Sequence, residues 1–414
     1  MSENNPAAES SSLSKPKKVN LRRPDIMNDV HSQVDSHYRS QIVKKIQQNG
    51  SILQAPGLTI RLAKAFGFCY GVERAIDLAY AARKYYANQN IYILGEIIHN
   101  PDVNEHLHGM GIRFLSGKNK DADIQELTSE DVVIIPAFGA RAPIMEILRA
   151  KGCQLVDTTC GDVMKVWRRV RQYAQENFTS VIHGKSHHEE TLATSSRVTE
   201  TPTGNYLVIF TLEEVDYVCN YILHGGNKQE FLEKFTGSYS PNFDPDIHLT
   251  AIGVANQTTM LRNETEEFQH RLCSAMIQKY GAENLSTHFR HFDTICGATQ
   301  ERQNALKDLL KEPLDLLLVL GGYNSSNTSH LAEMGEAVLP TYFINNASKI
   351  ISDKVIYHYN FHLGAEVEKR DWLPSKENIT LGITAGASCP SNLIENAIYR
   401  LFEIKNIPIE NILS

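Results

Sequence analysis

The chain has 414 residues, 42% of them hydrophobic and 21% charged, with a net charge of −7. That length exceeds one ordinary core and implies two to four modules, and the acidic balance leaves no electrostatic footprint for wrapping nucleic acid. No run approaches the roughly 18 consecutive apolar residues of a membrane span. The seven scattered cysteines form neither a secreted disulfide scaffold nor a zinc CxxC pair, so a reducing cytoplasm is expected.

The start, MSENNPAAESSSLSKPKKVNLRRPD, reads as a polar, disordered tail to about residue 25. It lacks an apolar signal region, and its glutamates and paired lysines argue against a transit peptide, so the bacterial cytoplasm is expected rather than a plastid. SHYRSQIVKKIQQNG follows, with helical spacing at Ile42 and Ile46 and a stop at Gly50. One N-terminal helix is expected there, and residues 1–57 read as an N-terminal extension.

Beyond it, short β-branched runs alternate with longer helical patterns. GLTIRLA, NIYILGE, GIRFLS, DVVIIPA, CQLVDTT, TSVIHG, YLVIF, HLTAIGVAN, LDLLLVLGG, PTYFIN and NITLGITAG read as strands. VERAIDLAYAARKYYA, APIMEILRAKG, VMKVWRRVRQYAQEN, NETEEFQHRLCSAMIQKYG, TQERQNALKDLLK and SNLIENAIYRLFEI read as helices. The alternation is that of an α/β protein with parallel sheets, whose ligands sit beyond the carboxyl ends of the strands.

Within this pattern an internal repeat stands out. LAKAFGFCYGVERAIDLA, LVDTTCGDVMKVWRRV and FDTICGATQERQNAL each run from an extended segment through Cys69, Cys160 or Cys296, past a glycine, into a helix. The interval from Cys160 to Cys296 is the longer, which places an insertion in the loop-rich stretch near residues 220–248. Three related α/β lobes follow: residues 58–152, 153–285 with the insertion, and 286–414.

A thiol at a helix N-terminus feels the positive end of the dipole, which is expected to lower its pKa and favour the thiolate. One such cysteine is ordinarily a small core residue. Three in repeated contexts point to a shared metal centre. Zinc prefers closely paired cysteines, whereas an iron–sulfur cube held by three thiolates leaves one iron open for chemistry. The remaining polar loops, GEIIHNP, SHHEETLAT, ANQTT, GGYNSSNTSH and TAGASCPSN, all follow strand candidates. They offer neutral donors suited to a phosphate, although Ser and Asn at strand ends also simply cap helices. Met164 and Trp167 read as core, and no nucleotide-binding glycine motif occurs in a strand-to-helix context.

GFCYGVERAI, EIIHNP, DTTCGDV, HEET, NQTT, ICGATQERQ, NSSN and TAGAS, in that order over residues 58–410, resemble the 4-hydroxy-3-methylbut-2-enyl diphosphate reductases, in the form of the plant and cyanobacterial branch. The resemblance implies three pseudo-threefold-related α/β lobes, with small mostly parallel sheets, around one central 4Fe–4S cluster held by Cys69, Cys160 and Cys296. It implies a substrate diphosphate among His99, His188, Ser325, Ser326, Asn327 and Ser388, with Glu190 as proton donor helped by Thr258. The implied reaction removes the substrate hydroxyl as water and gives isopentenyl and dimethylallyl diphosphates, with ferredoxin or flavodoxin supplying electrons.

Phe138, in IIPAFGARAP, stands where many bacterial members have a diphosphate-binding histidine. Arg141 is a candidate replacement charge, or a helix-capping surface residue. In SHHEE, His188 with Glu190 keeps the family's His-x-Glu spacing, and His187 with Glu189 is the competing register. Cys389 beside Ser388 is unusual for its loop.

Overall fold

The computed structural model describes residues 19–410. Residues 1–18 of the expected tail lie outside the described residues, while its end is already helical. Helix α1 (Pro24–Tyr38) has a proline in its first turn, where the missing N–H has no intrahelical partner anyway. The single helix expected around residues 36–50 is the end of α1 followed by a separate α2 (Gln41–Gln48). Arg39 is extended at φ −96° and ψ 139°, and the Ser40 side chain accepts the Val43 N–H at 2.9 Å, which starts a new helix. Val30, Val34 and Tyr38 pack with Val72 and Ile76, whereas Val43 and Ile46 pack with Leu58 and Phe402. The N-terminal extension therefore braces two different cores.

Next come strands β1 (Ile52–Ala55) and β2 (Leu58–Leu62) and helix α3 (Tyr70–Tyr85). The first complete sheet comprises β3 (Ile91–Ile93), β4 (Ile112–Phe114), β5 (Val132–Ile135) and β6 (Gln154–Asp157) in the order β4-β3-β5-β6, all parallel. Helices α4 (Pro101–Gly109) and α5 (Ala142–Ala150) connect them.

Helix α6 (Gly161–Gln175) leads into β7 (Thr179–His183), α7 (Glu189–Val198), β8 (Tyr206–Ile209) and α8 (Leu212–His224). Then follow α9 (Lys228–Lys234), α10 (Pro245–His248), β9 (Ile252–Asn256), α11 (Arg262–Tyr280), α12 (Leu285–His288) and β10 (Phe289–His291). The second sheet has the order β10-β9-β7-β8, again parallel throughout. The segment 220–248 is not the loop-rich insertion expected. It holds two capped helices, and Phe231, Phe235 and Phe243 bury themselves in the second core.

The last third runs α13 (Gly297–Leu309), β11 (Leu316–Leu320), α14 (Ser326–Glu336), β12 (Thr341–Ile344), the hairpin β13 (Val355–Asn360) and β14 (Ala365–Arg370), β15 (Ile379–Ala385) and α15 (Ser391–Ile404). Its sheet has the order β1-β2-β15-β11-β12, parallel except for β1. β11 reads LLLVL and is buried throughout, as a strand covered on both faces must be.

The three sheets share one plan, with small parallel sheets in three α/β units as expected. Boundaries at 58, 153 and 286 nevertheless leave the cysteine-leading strands paired across them: β6 with β5, β10 with β9, and β2 with β15. Division by sheet membership places each such strand with the lobe before it, the last lobe's sheet being completed by β2 from the start of the first. Each strand–cysteine–helix unit thus bridges two lobes, and the chain's two ends close a ring.

Candidate active site

The three cysteines occupy one structural position. Cys69, Cys160 and Cys296 are the N-cap residues of α3, α6 and α13, all with extended backbone, and none uses its side chain as a cap. Each is pinned through its own N–H, donated to the carbonyl of Ala387 at 3.2 Å, Ala137 at 2.8 Å and Thr258 at 3.0 Å respectively. Those acceptors sit just past the ends of β15, β5 and β9, the strands beside β2, β6 and β10. One local geometry, used three times, delivers three thiols to the lobes' junction.

A Cβ added at Gly71 would lie 2.6 Å from the Cys160 sulfur and 3.9 Å from that of Cys69. The two sulfurs are therefore no farther apart than those distances laid end to end, and only glycine fits between them. Gly161 and Gly297 have nothing within 4 Å of an added Cβ, so the glycines directly after these cysteines are not required for close approach.

Two sulfurs on one zinc ion, at about 2.3 Å each, cannot be more than about 4.6 Å apart. The three thiols do not gather within 4.8 Å of one another; among the described residues, only His99, His188 and Glu189 form a group that close. The thiol spacing thus fits a body larger than a single ion. The expected lowering of the thiol pKa is not found at Cys160 or Cys296. Burial raises the Cys160 thiol and pushes Cys296 up to about 12, outweighing the lowering influence of the nearby backbone N–H groups of Asp162 and Val163 on Cys160 and of Thr299 on Cys296. Desolvation is the larger influence, and a bound metal cation would reverse the balance.

One cavity is lined by all three cysteines together with His99, His188, Glu190, Thr258, Ser325, Ser326, Asn327 and Ser388. Every site residue expected from the sequence is brought there. His188 caps α7 by accepting the Glu190 N–H at its Nδ1, 3.2 Å away, and burial holds its pKa well below the usual histidine value. A neutral ring with Nδ1 as acceptor carries its proton on Nε2. That Nε2–H makes no hydrogen bond, so it is a donor available to a ligand in the cavity that His188 lines.

His99 Nδ1 lies 3.1 Å from a Glu96 oxygen, its ring is stacked on Phe138 at 4.7 Å and 6°, and its Nε2 makes no hydrogen bond, with a Glu189 carboxylate oxygen 3.8 Å away. The Asn327 side-chain oxygen accepts the Ala387 N–H at 2.9 Å, which leaves its amide nitrogen free. Ser325 caps α14, Ser326 Oγ has no partner, and Ser388 Oγ donates to the His99 carbonyl at 3.1 Å. Buried polar groups are ordinarily paired. Polar atoms without a hydrogen bond on four residues around one cavity, beside the N-termini of α7 and α14, are groups that can donate to an anionic ligand.

Glu190 is buried, with one oxygen 2.6 Å from the Thr258 N–H and the other 3.1 Å from the Thr258 hydroxyl. Burial raises its pKa to about 7 despite both bonds, so it can hold or release a proton near neutrality. The two registers in SHHEE are resolved by burial: His188 and Glu190 are inside, His187 and Glu189 exposed.

Phe138 lines the cavity as the platform under His99. Arg141 is the exposed N-cap of α5 and lines a neighbouring hollow instead, so it does not replace a missing histidine. Cys389 is fully buried and packs in the third core as filler. Asp162 was not singled out from the sequence, yet it lines the cavity, and the neighbouring Cys296 thiol helps to lower its carboxyl pKa. Its place two residues after Cys160 was the available signal. Glu96 and Asn324, whose amide donates to Glu96 at 2.7 Å, were likewise missed.

A family model described as LytB protein matches residues 60–402. The 4-hydroxy-3-methylbut-2-enyl diphosphate reductase of Gloeobacter violaceus is 47% identical over 384 residues, covering 92% of this chain and 91% of that one. The protein of the same name from Thermosynechococcus vestitus is 47% identical over 380 residues, covering 92% and 93%. A solved (E)-4-hydroxy-3-methyl-but-2-enyl diphosphate reductase, described as the terminal enzyme of the non-mevalonate pathway, is 27% identical with a TM-score of 0.51, covering 83% of this chain and 99% of its own. The E-1-hydroxy-2-methyl-but-2-enyl-4-diphosphate reductase structure from Plasmodium falciparum shares the fold at a TM-score of 0.58 and 22% identity, covering 83% and 87%. Among the described residues no helix is long and apolar enough to cross a membrane. On the span of the family match and the identity to full-length relatives, the chain belongs to the LytB protein family.

Proposed function

We propose that the chain reduces 4-hydroxy-3-methylbut-2-enyl diphosphate to isopentenyl and dimethylallyl diphosphates, the last step of the methylerythritol phosphate route to isoprenoids. The observation that carries this reading is the single cavity in which three N-cap thiols, Glu190 and the unpartnered donors face one another. Cys69, Cys160 and Cys296 would hold one 4Fe–4S cluster, which when bound supplies electrons and an open Lewis-acid iron for the substrate hydroxyl.

The chain's own residues do the rest. His188 Nε2–H, Asn327 Nδ2–H and Ser326 Oγ–H donate to diphosphate oxygens, and His99, Ser325 and Ser388 complete the receptor. Neutral donors and helix N-termini bind the anion without a basic patch, consistent with the acidic chain. Glu190, protonated in part near neutrality, delivers a proton, and Thr258 fixes the orientation of its carboxyl. Val72, Ile98 and Phe138 form apolar walls that limit water at the reacting carbons. Two electrons and two protons convert one allylic alcohol diphosphate into one alkene diphosphate and water. The electrons come from a ferredoxin or flavodoxin, and the reaction belongs in the cytoplasm.

The test is product analysis with anaerobically purified protein, reduced viologen and the hydroxylated diphosphate. Both alkene diphosphates are expected. Protein carrying about four iron and four sulfide per chain that forms neither product refutes the reading, as does stoichiometric zinc without sulfide.

A further inference from the structure

Two motif arginines, Arg74 in GFCYGVERAI and Arg302 in ICGATQERQ, line no part of the cavity. Each rides on a helix headed by one cysteine and grips the loop that carries another. Arg74, on α3 behind Cys69, donates from Nη1 to the Thr158 and Thr159 carbonyls, both at 3.0 Å, and from Nη2 to the Asp157 carbonyl at 3.3 Å. Those three residues run directly into Cys160. Arg302, on α13 behind Cys296, donates from Nε and Nη2 to the Gly67 carbonyl at 3.2 and 2.6 Å, just ahead of Cys69. Its Nη1 donates to Ala298 in the first turn of its own helix at 2.8 Å, so one guanidinium ties that helix start to the next loop.

The third station uses a different contact in the same sense. Arg169, on α6 behind Cys160, stacks 3.7 Å over the ring of Phe292, in the segment leading to Cys296. The contacts therefore run from the Cys69 helix to the Cys160 loop, from the Cys160 helix to the Cys296 loop, and from the Cys296 helix back to the Cys69 loop. Loop carbonyls next to a buried site need donors. A guanidinium supplies several at once from a rigid planar fork, so it fixes distance and angle as well as satisfying them. Arg302 is 5% exposed, which restricts the fork to that geometry.

We propose that Arg74, Arg169 and Arg302 are positioning residues that form a closed ring of lobe-to-lobe contacts, holding the three thiols in register before the iron–sulfur group is assembled. The inference rests on the reading that Cys69, Cys160 and Cys296 bind that group. Because the ring is closed, opening it at one station releases the register, and opening a second adds little.

The test uses Arg74→Lys and Arg302→Lys, which keep the charge and lose the fork, their double variant, and Phe292→Leu. In the reconstituted holoprotein, iron removal by a chelator is followed by absorbance, alongside the EPR line shape of the reduced cluster and the thermal midpoint. Each single variant is expected to lose iron on the order of tenfold faster, with an altered line shape. The double variant is expected to fall well short of the product of the two singles. Wild-type loss rates, an effect equal to that product, or a lowered thermal midpoint with an unchanged line shape overturns the proposal. Should Arg302→Lys fail to fold, Arg74→Lys combined with Phe292→Leu makes the same comparison. In metal-free protein, a short bifunctional thiol reagent should bridge Cys69 and Cys160 less completely in Arg74→Lys, and equal bridging overturns the ring. A wild-type chain without iron and sulfide overturns the cluster reading instead, and the bridging comparison still decides the ring.

Discussion

Thr258 holds both oxygens of Glu190, one through its backbone N–H at 2.6 Å and one through its hydroxyl at 3.1 Å. Its carbonyl also accepts the N–H of Cys296 at 3.0 Å. A single residue, two past the end of β9, thus ties the Glu190 carboxyl to a thiol loop.

The raised pKa of Glu190, about 7 against an ordinary 4.5, carries a sign. The folded chain favours the protonated form, so stability contributed below the unfolded pKa is lost as pH rises through the folded pKa. Turnover that needs the protonated carboxyl should fall above about pH 7. Thr258→Val removes a hydroxyl bond that lowers the pKa, so the falling limb of the pH–rate profile should move to higher pH. Glu190→Gln should abolish most turnover and flatten that limb; a variant with normal turnover removes Glu190 from the proton-donor role.

Cys160→Ser should lose most of the iron and sulfide found in the wild-type chain, while the far-ultraviolet circular dichroism stays unchanged. Metal analysis of the anaerobically purified variant checks this. The same outcome is expected for Cys69→Ser and Cys296→Ser, since the three occupy equivalent N-cap positions.

Gly71→Ala places a methyl 2.6 Å from the Cys160 sulfur. Alanine suits a helix's first turn, so the helix should survive while the thiol is displaced. Cluster content should drop sharply with little change in thermal midpoint, and Gly161→Ala, which meets nothing within 4 Å, should keep its iron.

Removing one donor to the diphosphate should raise KM more than it lowers kcat. Hydrogen bonds to charged groups are worth about 1.5–3 kcal/mol, roughly ten- to a hundredfold in binding. Steady-state kinetics of Asn327→Leu and His188→Leu test this, the second with a larger loss because His188 also caps α7 next to Glu190. A kcat defect alone would place these side chains outside the diphosphate receptor.

Much of this site was legible because its parts are local. A strand ending, a cysteine and a helix start occupy a few consecutive residues, and their repetition is visible as Cys69, Cys160 and Cys296. β11, with five apolar residues in a row, could be read directly, and so could the helix after each cysteine. The hairpin β13–β14 could not, because AEVEKR is largely exposed and is a strand only through its partner. Asp162 and Glu96 were hidden for a similar reason: an acidic residue near a motif acquires a role only when a thiol or an amide from elsewhere meets it.

Residue order by itself determined the chemistry on offer: three thiols at helix starts, neutral donors past strand ends, and two registers, His188 with Glu190 and His187 with Glu189, that space a carboxylate two residues from a histidine. Tertiary structure alone decided that β2 completes the last sheet, that Gly71 and not Gly161 makes room between sulfurs, and that burial raises the Cys160 and Cys296 thiols where their helix positions predicted the reverse. The physical reason is range. Helix starts and turns depend on neighbours along the chain, whereas desolvation and the approach of one sulfur to another sum over residues that only the fold brings together.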